Sequence, residues 1–297
     1  MDCDTEMQDL RVVFMGMDSV FSAIPLRYLL ARGVQVCAVV TPGSPPEASA
    51  RPLAPHAQPP SIVEQAEAAG APVIHVKHLH SASVLARLTA VAPDVILVAC
   101  FSLILPPSLL QAPRLGCFNL HPSLLPGYRG PTPLFWQWRL GEEQTGVTLH
   151  RMTPTVDAGE IVAQVGVPLP DGSSGQQADA LLAEAGAALM GQTLMRLAQG
   201  SLTARPQDEA HSTYFPWPTD SDFKLSAAWS ARRAFNFMRG TAAWGYPYRL
   251  TGHNTTLWLQ SALAFDPKQK LAQPLVRHGR EALIQLSPGV LHAVVLW

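Results

Sequence analysis

Four short apolar runs in the first hundred residues, the first three each followed by a stretch with helical spacing, leave this chain few folds to choose from. The runs are 11–16, 34–40, 72–76 and 94–100; the helical stretches are 19–32, ending at Gly33, 61–69, closed by Gly70, and 83–91. Each crossover between parallel neighbours takes about a dozen residues and covers one face of the sheet. Strand and helix in alternation therefore predict an α/β domain built on a mostly parallel, doubly covered sheet. In such sheets ligands bind beyond the carboxyl ends of the strands, which directs attention to the loops that follow them.

The loop after the first strand does not read as a nucleotide site. Gly16 is followed by Met17, Asp18, Ser19 and Val20, without the further glycines of a dinucleotide fingerprint, so Gly16 reads as a tight turn. The loop over 41–60 is rich in proline and carries one Arg, one Glu and one His. The strand 94–100 runs into the apolar loop 101–105. Next, the run 117–121 delivers Asn119 and His121 into a loop rich in proline and glycine that ends at Gly130. Side chains alternate across a strand, so Asn119 and His121 face one way and Phe118 and Leu120 the other. The loops after Cys100 and His121 should be neighbours at one crevice.

A short helix over 131–140, a strand over 145–151, a loop carrying Asp157, a strand over 160–169 and an Ala/Leu-rich helix over 175–199 complete the first part of the chain. The expected organisation is a domain over 10–200, a linker over 201–215 and a second domain over 216–297. In the tail, a helix over 230–238 is capped by Ser230 and stopped by Gly240. Short strands over 255–260, 283–286 and 290–297 predict a small β-barrel or sandwich, its core filled by Trp217, Trp229 and Trp244.

A hydrophobic share of 47% with 14% charged residues over 297 residues describes a globular protein with a sizeable core. No run approaches the roughly 18 apolar residues of a membrane span, and the acidic start is unlike a signal peptide, so the expectation is a cytoplasmic protein. Cys3, Cys37, Cys100 and Cys117 lack paired metal-ligand spacing and are expected as free thiols with no metal. Charge is uneven: residues 1–216 hold 12 Lys/Arg against 18 Asp/Glu, and 217–297 hold 9 against 4. A basic C-terminal module could face an acidic partner or merely carry solvated side chains.

A base, a carboxylate and a neutral hydrogen-bond donor at one crevice suit acyl transfer, because attack on a carbonyl develops an oxyanion and moves protons. Asn119, His121 and Asp157 could supply the three. The motifs around them, Asn119-x-His121-Pro-Ser-Leu-Leu-Pro126, Tyr128-Arg-Gly130, Thr145-Gly-Val-Thr148 and Asp157-x-Gly159-x-Ile161, resemble those of the folate-dependent formyltransferase family. The likeness runs from about residue 11 to about 260. In layout, including Asn236-x-x-Arg239-Gly240, it is nearest to the branch that acts on methionyl-tRNA.

The resemblance implies a Rossmann-like domain followed by a small OB-like barrel, with 10-formyltetrahydrofolate as formyl donor. It makes Asn119, His121 and Asp157 the catalytic trio: Asn119 donates to the developing oxyanion, His121 manages protons, and Asp157 orients or ionises His121, directly or through water. The donor's pterin is expected in a slot formed by Phe101, Ser102, Leu103, Ile104 and Leu105, with Val156 and Ala158 as the other wall. Leu103, Ile104 and Leu105 would each serve equally well as core packing. Ser123, Tyr128, Arg129 and His150 are candidates for the acceptor pocket.

The tRNA-acting branch carries a basic insertion where this chain has the neutral loop 41–60, and a Lys after the linker where this chain reads Tyr214-Phe-Pro-Trp217. Residues 153–156, Thr-Pro-Thr-Val, lack the acidic and glycine residues often found there. Phosphate contacts dominate nucleic-acid affinity. The expected acceptor is therefore the amine of a small molecule, such as an amino sugar or a specialised metabolite. Methionyl-tRNA is the alternative, and a formyl-folate hydrolase or a non-catalytic folate-binding protein stands behind both.

Overall fold

The computed structural model describes residues 7–43, 61–252 and 255–296. The proline-rich loop from residue 44 onward, and Cys3, lie outside the described residues. The chain packs as two compact units that are each discontinuous in sequence: 1–130, 145–167 and 179–214 form the first, and 131–144, 168–178 and 215–297 the second.

In the first unit, β1 (Arg11–Gly16), β2 (Gln35–Pro42), β3 (Val73–Val76), β4 (Val95–Ala99), β5 (Cys117–His121), β6 (Gln144–Arg151) and β7 (Ile161–Pro168) form one sheet in the order β3-β2-β1-β4-β5-β6-β7. The pairs β1–β2, β2–β3, β1–β4 and β4–β5 are parallel, and β5–β6 is antiparallel. Interleaved are α1 (Val20–Ala31), α2 (Ile62–Ala68), α3 (Ala82–Ala90) and the one-turn α4 (Pro107–Leu110). Ser19 and Ser61 cap α1 and α2 with side-chain oxygens that accept backbone N–H groups. Every residue of β4 is buried, as a strand covered on both faces must be. Val13, Met15, Ala38, Val40, Ile96 and Val98 alternate along three strands to build the core on one face.

The strand order reverses between β1 and β4, which opens a crevice at their carboxyl ends. There Ser22 Oγ donates to the Ala99 carbonyl at 2.6 Å. A Cβ on Gly16 would stand 2.9 Å from the Ser22 Cβ, so this glycine serves the close approach of α1 to β4.

The second unit holds α5 (Pro133–Leu140), the first residues of α6 (Gly175–Ala198), α7 (Ala231–Thr241) and a six-stranded sheet. Its strands are β8 (Lys224–Ser226), β9 (Tyr248–Gly252), β10 (Thr255–Asp266), β11 (Leu275–His278), β12 (Glu281–Gln285) and β13 (Val290–Val295), in the order β11-β12-β13-β10-β9-β8. Only β8–β9 is parallel among the pairings in this sheet. Phe135 of α5 meets Phe223 and Phe237 edge-on at 5.3 and 5.4 Å, and this aromatic contact fastens α5 into the unit.

Three expectations change here. The helix expected to stop at Gly240 runs on to Thr241, because Gly240 lies against the Trp138 ring, where a Cβ would collide, and the left-handed turn comes at Gly245. Strands β8, β9 and β11 add to those expected, and β10 is twice the expected length. Trp229 and Trp244 pack on Phe237 and Phe135, whereas Trp217 is 43% exposed and lies outside the core.

Candidate active site

Strands β5 and β6 set the frame. Asn119 pairs with His150 and His121 with Thr148, so the facing residues of this antiparallel pair project to the same side. Asp157 arrives from the β6–β7 loop with φ of 52°, a left-handed conformation that Asp tolerates better than most residues. Gly159, two residues on, passes so close to the Arg151 carbonyl that a Cβ would overlap it. The Asp-x-Gly spacing is thus a backbone requirement as well as a signature.

The side chains converge. Asn119 Nδ2 lies 3.2 Å from His150 Nε2 and donates more weakly to Asp157 Oδ1 at 3.5 Å. His121 Nδ1 is 3.6 Å from Asp157 Oδ2, and His150 Nε2 is 3.4 Å from Asp157 Oδ1. The Gly130 N–H donates to Asp157 Oδ2 at 2.9 Å. His121 Nε2 is 2.8 Å from the Tyr128 carbonyl and His150 Nδ1 is 3.0 Å from the Arg151 carbonyl. A carbonyl only accepts, so each of those nitrogens carries the hydrogen in the neutral ring. That leaves the lone pair of His121 on Nδ1, facing Asp157, and the lone pair of His150 on Nε2, facing the Asn119 amide.

Burial lowers the pKa of His121, and His150 acts in the same direction; the Asp157 charge and the Tyr128 carbonyl oppose them without reversing the shift. His121 is therefore neutral near pH 7. Burial alone would raise the Asp157 carboxyl, but the two histidine rings and the Gly130 N–H outweigh it and hold the group far below the usual carboxylate range. The cluster thus presents a neutral imidazole, a fixed carboxylate and an amide donor.

The other expected site residues are placed as follows. Phe101 and Leu103 pack partly buried against the core of the first unit, Leu105 is 4% exposed within it, and Ser102 is exposed. Ile104 stands 66% exposed, Val156 is 40% exposed and Ala158 is half-buried. Ser123 is fully buried and donates to the Gly127 carbonyl at 2.7 Å. The Arg129 guanidinium is occupied by Gln207 and Glu209, which makes it a cross-link between loops. Tyr128 contributes its carbonyl to His121, and His150 joins the cluster of Asn119, His121 and Asp157. Sequence reasoning passed over Gln207, whose amide Nε2 donates to the carbonyls of both Asp157 and Gly159 at 2.7 Å. Nothing in the polar stretch 201–215 distinguishes it from its neighbours.

A doubly wound sheet with an imidazole, a carboxylate and an amide donor gathered at the end of β5 is an arrangement suited to acyl-group transfer. The sequence matches the family described as Formyl transferase over residues 10–194. It is 36% identical over 261 residues to the methionyl-tRNA formyltransferase of Halalkalibacterium halodurans, covering 88% of this chain and 81% of that protein. It is likewise 36% identical over 270 residues to that of Acidobacterium capsulatum, covering 90% and 85%. Among solved structures, the N-formyltransferase of Helicobacter canadensis in complex with folinic acid and dTDP-3-aminofucose aligns with a TM-score of 0.68 at 15% identity, covering 96% of this chain and 99% of that one. The methionyl-tRNA formyltransferase of Clostridium thermocellum aligns at 0.54 with 13% identity, covering 86% and 94%; at such identities the likeness concerns the fold. The chain belongs to the folate-dependent formyltransferase family, and it is a one-carbon transferase.

Proposed function

We propose that this enzyme transfers the formyl group of 10-formyltetrahydrofolate to a primary amine on a small molecule, with Asn119, His121 and Asp157 as the reacting constellation. The observation that carries the transfer chemistry is the convergence of the three on one side of β5, with the lone pair of His121 Nδ1 turned toward Asp157. 10-Formyltetrahydrofolate supplies the formyl carbon. The exposed apolar side chains of Ile104 and Val156 suit a flat ring, and the long Asn119 bond to Asp157 is one that a ligand oxygen can replace.

The amine attacks the formyl carbon as a free base, forming a C–N bond. Asn119 Nδ2 meets the carbonyl oxygen as negative charge develops on it. His121 Nδ1 takes the proton lost by the amine, and Asp157 stabilises the resulting imidazolium. The same proton passes to the departing nitrogen as its bond to the formyl carbon breaks, so His121 ends neutral. Asn119→Ala should lower turnover by about 10²–10³-fold, the usual loss for one oxyanion donor. Wild-type rates in Asn119→Ala and His121→Ala would overturn the mechanism.

The near-neutral loop 41–60 and the acidic balance of residues 1–216 support a small acceptor, since a polyanion gains little from either. The 36% identity to methionyl-tRNA formyltransferases and the basic balance of 217–297 favour charged tRNA as a second reading. Incubation with 10-formyltetrahydrofolate, a panel of amino sugars and other amines, and charged initiator tRNA, with the product identified by mass, decides between them. Formyl-methionyl-tRNA as the sole product would overturn the first reading.

A further inference from the structure

Of the stretch expected as a linker, 201–215, residues 201–214 belong to the first unit and lace its two site-bearing loops together. Arg205 and Ile161 exchange both backbone hydrogen bonds, at 2.8 and 2.9 Å, at the start of β7. Thr213 accepts from the Arg129 N–H through its carbonyl at 2.9 Å and from the Tyr128 N–H through its hydroxyl at 2.8 Å. Between these anchors, Gln207 has every polar position of its amide assigned. Its two N–H bonds go to the carbonyls of Asp157 and Gly159, and its oxygen accepts from Arg129 Nη2 at 2.8 Å and Nε at 3.2 Å. Carbonyls only accept and a guanidinium only donates, so this amide has one possible orientation. Arg129 is aimed in turn by a two-pronged ion pair with Glu209, at 2.7 and 2.9 Å.

The contacts close a ring: Arg129 to Gln207, Gln207 to the Asp157 backbone, and the Asp157 carboxylate back to the N–H of Gly130, next to Arg129. We infer that Gln207 is a positioning residue for formyl transfer, setting the place of the Asp157 carboxylate by holding the two carbonyls around it, with Arg129 aiming the amide. The left-handed backbone at Asp157 is one that its surroundings must hold in place, and the two Gln207 donors are among the contacts that do so. This inference rests on the reading that Asp157 acts on His121.

Two substitutions test it. Gln207→Glu keeps the oxygen for Arg129 and loses the donors to the loop; Gln207→Met keeps the length and loses both. The backbone bonds of Arg205 and Thr213 remain, so Gln207→Glu carries the test even if Gln207→Met does not fold. In each variant turnover should fall about tenfold or more, as a displaced catalytic group demands, with the melting temperature near that of the wild type. In Gln207→Met, which brings no new charge, the His121 ring, followed by NMR titration and assigned by its loss in His121→Asn, should titrate at lower pH; in Gln207→Glu the added carboxylate acts the other way, so that variant is read by turnover and melting temperature. Asp157 is the charge that raises the His121 pKa; burial and His150 act against it, and the Tyr128 carbonyl stays in place. An unmoved titration with wild-type turnover would overturn the inference, as would losses that only track melting temperature. If Asn119→Ala kept full transfer while the titration still moved, the positioning would stand and the catalytic reading would fall.

Discussion

Asn119 and His150 stand directly opposite each other on β5 and β6, and the histidine, at 3.2 Å, is the nearer of two acceptors for the asparagine amide. The Arg151 carbonyl fixes the His150 proton on Nδ1 and so turns the Nε2 lone pair toward Asn119. In the proposed mechanism, His150 thereby settles which end of the carboxamide faces the reacting oxygen. His150→Phe keeps the buried volume but removes the acceptor, so the amide is free to flip. Turnover should fall about tenfold, within the range for a lost hydrogen bond at a buried group, with little change in the KM for the folate. Steady-state kinetics with saturating amine provides the check; an unchanged kcat would separate His150 from the oxyanion donor.

The buried, neutral His121 predicts where activity fails on acidification. Its pKa lies below the ordinary 6.5, and the proposed mechanism needs the unprotonated ring, so the acid limb of kcat/KM against pH should fall below 6.5. Asp157 is the main influence that raises this pKa. Asp157→Asn should therefore move the acid limb to still lower pH while reducing the plateau, because the imidazolium loses its counter-charge. A limb that moved to higher pH would reverse the assignment of charge in the pair.

Stability has a matching dependence. A folded-state carboxyl held below its unfolded value contributes stability above the unfolded pKa of about 3.8 and loses it as pH falls further. Asp157→Asn should flatten the loss of stability of the first unit below pH 4, as measured by urea unfolding at a series of pH values.

Much of this site was legible before any coordinates. Alternation put Asn119 and His121 on one face, and the helix starts expected at residues 19, 61 and 230 are kept in the fold, each with a capping serine. Those signals are local. What escaped depends on contacts distant in sequence. The assignment of 131–144 to the second unit is driven by Phe135 meeting Phe223 and Phe237, about ninety and a hundred residues away. Gly240 looked like a stop signal because its role, making room for Trp138, is invisible without the partner. Gln207 sits in a segment with no periodicity at all, and only its carbonyl partners give it meaning.

The loop 101–105 separates two roles within three residues. Leu105 is buried in the core, so Leu105→Ala should cost about 2–5 kcal/mol of stability, as cavity formation usually does. Ile104 is largely exposed, so Ile104→Ser should leave the melting temperature of the free protein unchanged. If Ile104 covers the folate ring, the same change should reduce the stabilisation given by folinic acid, since a bound ligand raises stability in proportion to its affinity. Equal protection of wild type and Ile104→Ser would remove Ile104 from the slot.

Gly159 gives the sharpest structural prediction. Its Cα passes the Arg151 carbonyl with no room for a methyl group, and its own carbonyl is one of the two that Gln207 holds. Gly159→Ala must push the loop away from β6, taking Asp157 with it. The cost should exceed about 1 kcal/mol, the scale at which a glycine-to-alanine change in an incompatible site outweighs its benefit in the unfolded chain. Because the displaced loop carries the carboxylate, activity should fall by more than the lost stability accounts for at 25 °C, where nearly all of the protein remains folded. Thermal unfolding and turnover measured on the same preparation test both halves, and a Gly159→Ala enzyme with wild-type turnover would show that the loop can be displaced without cost to the chemistry.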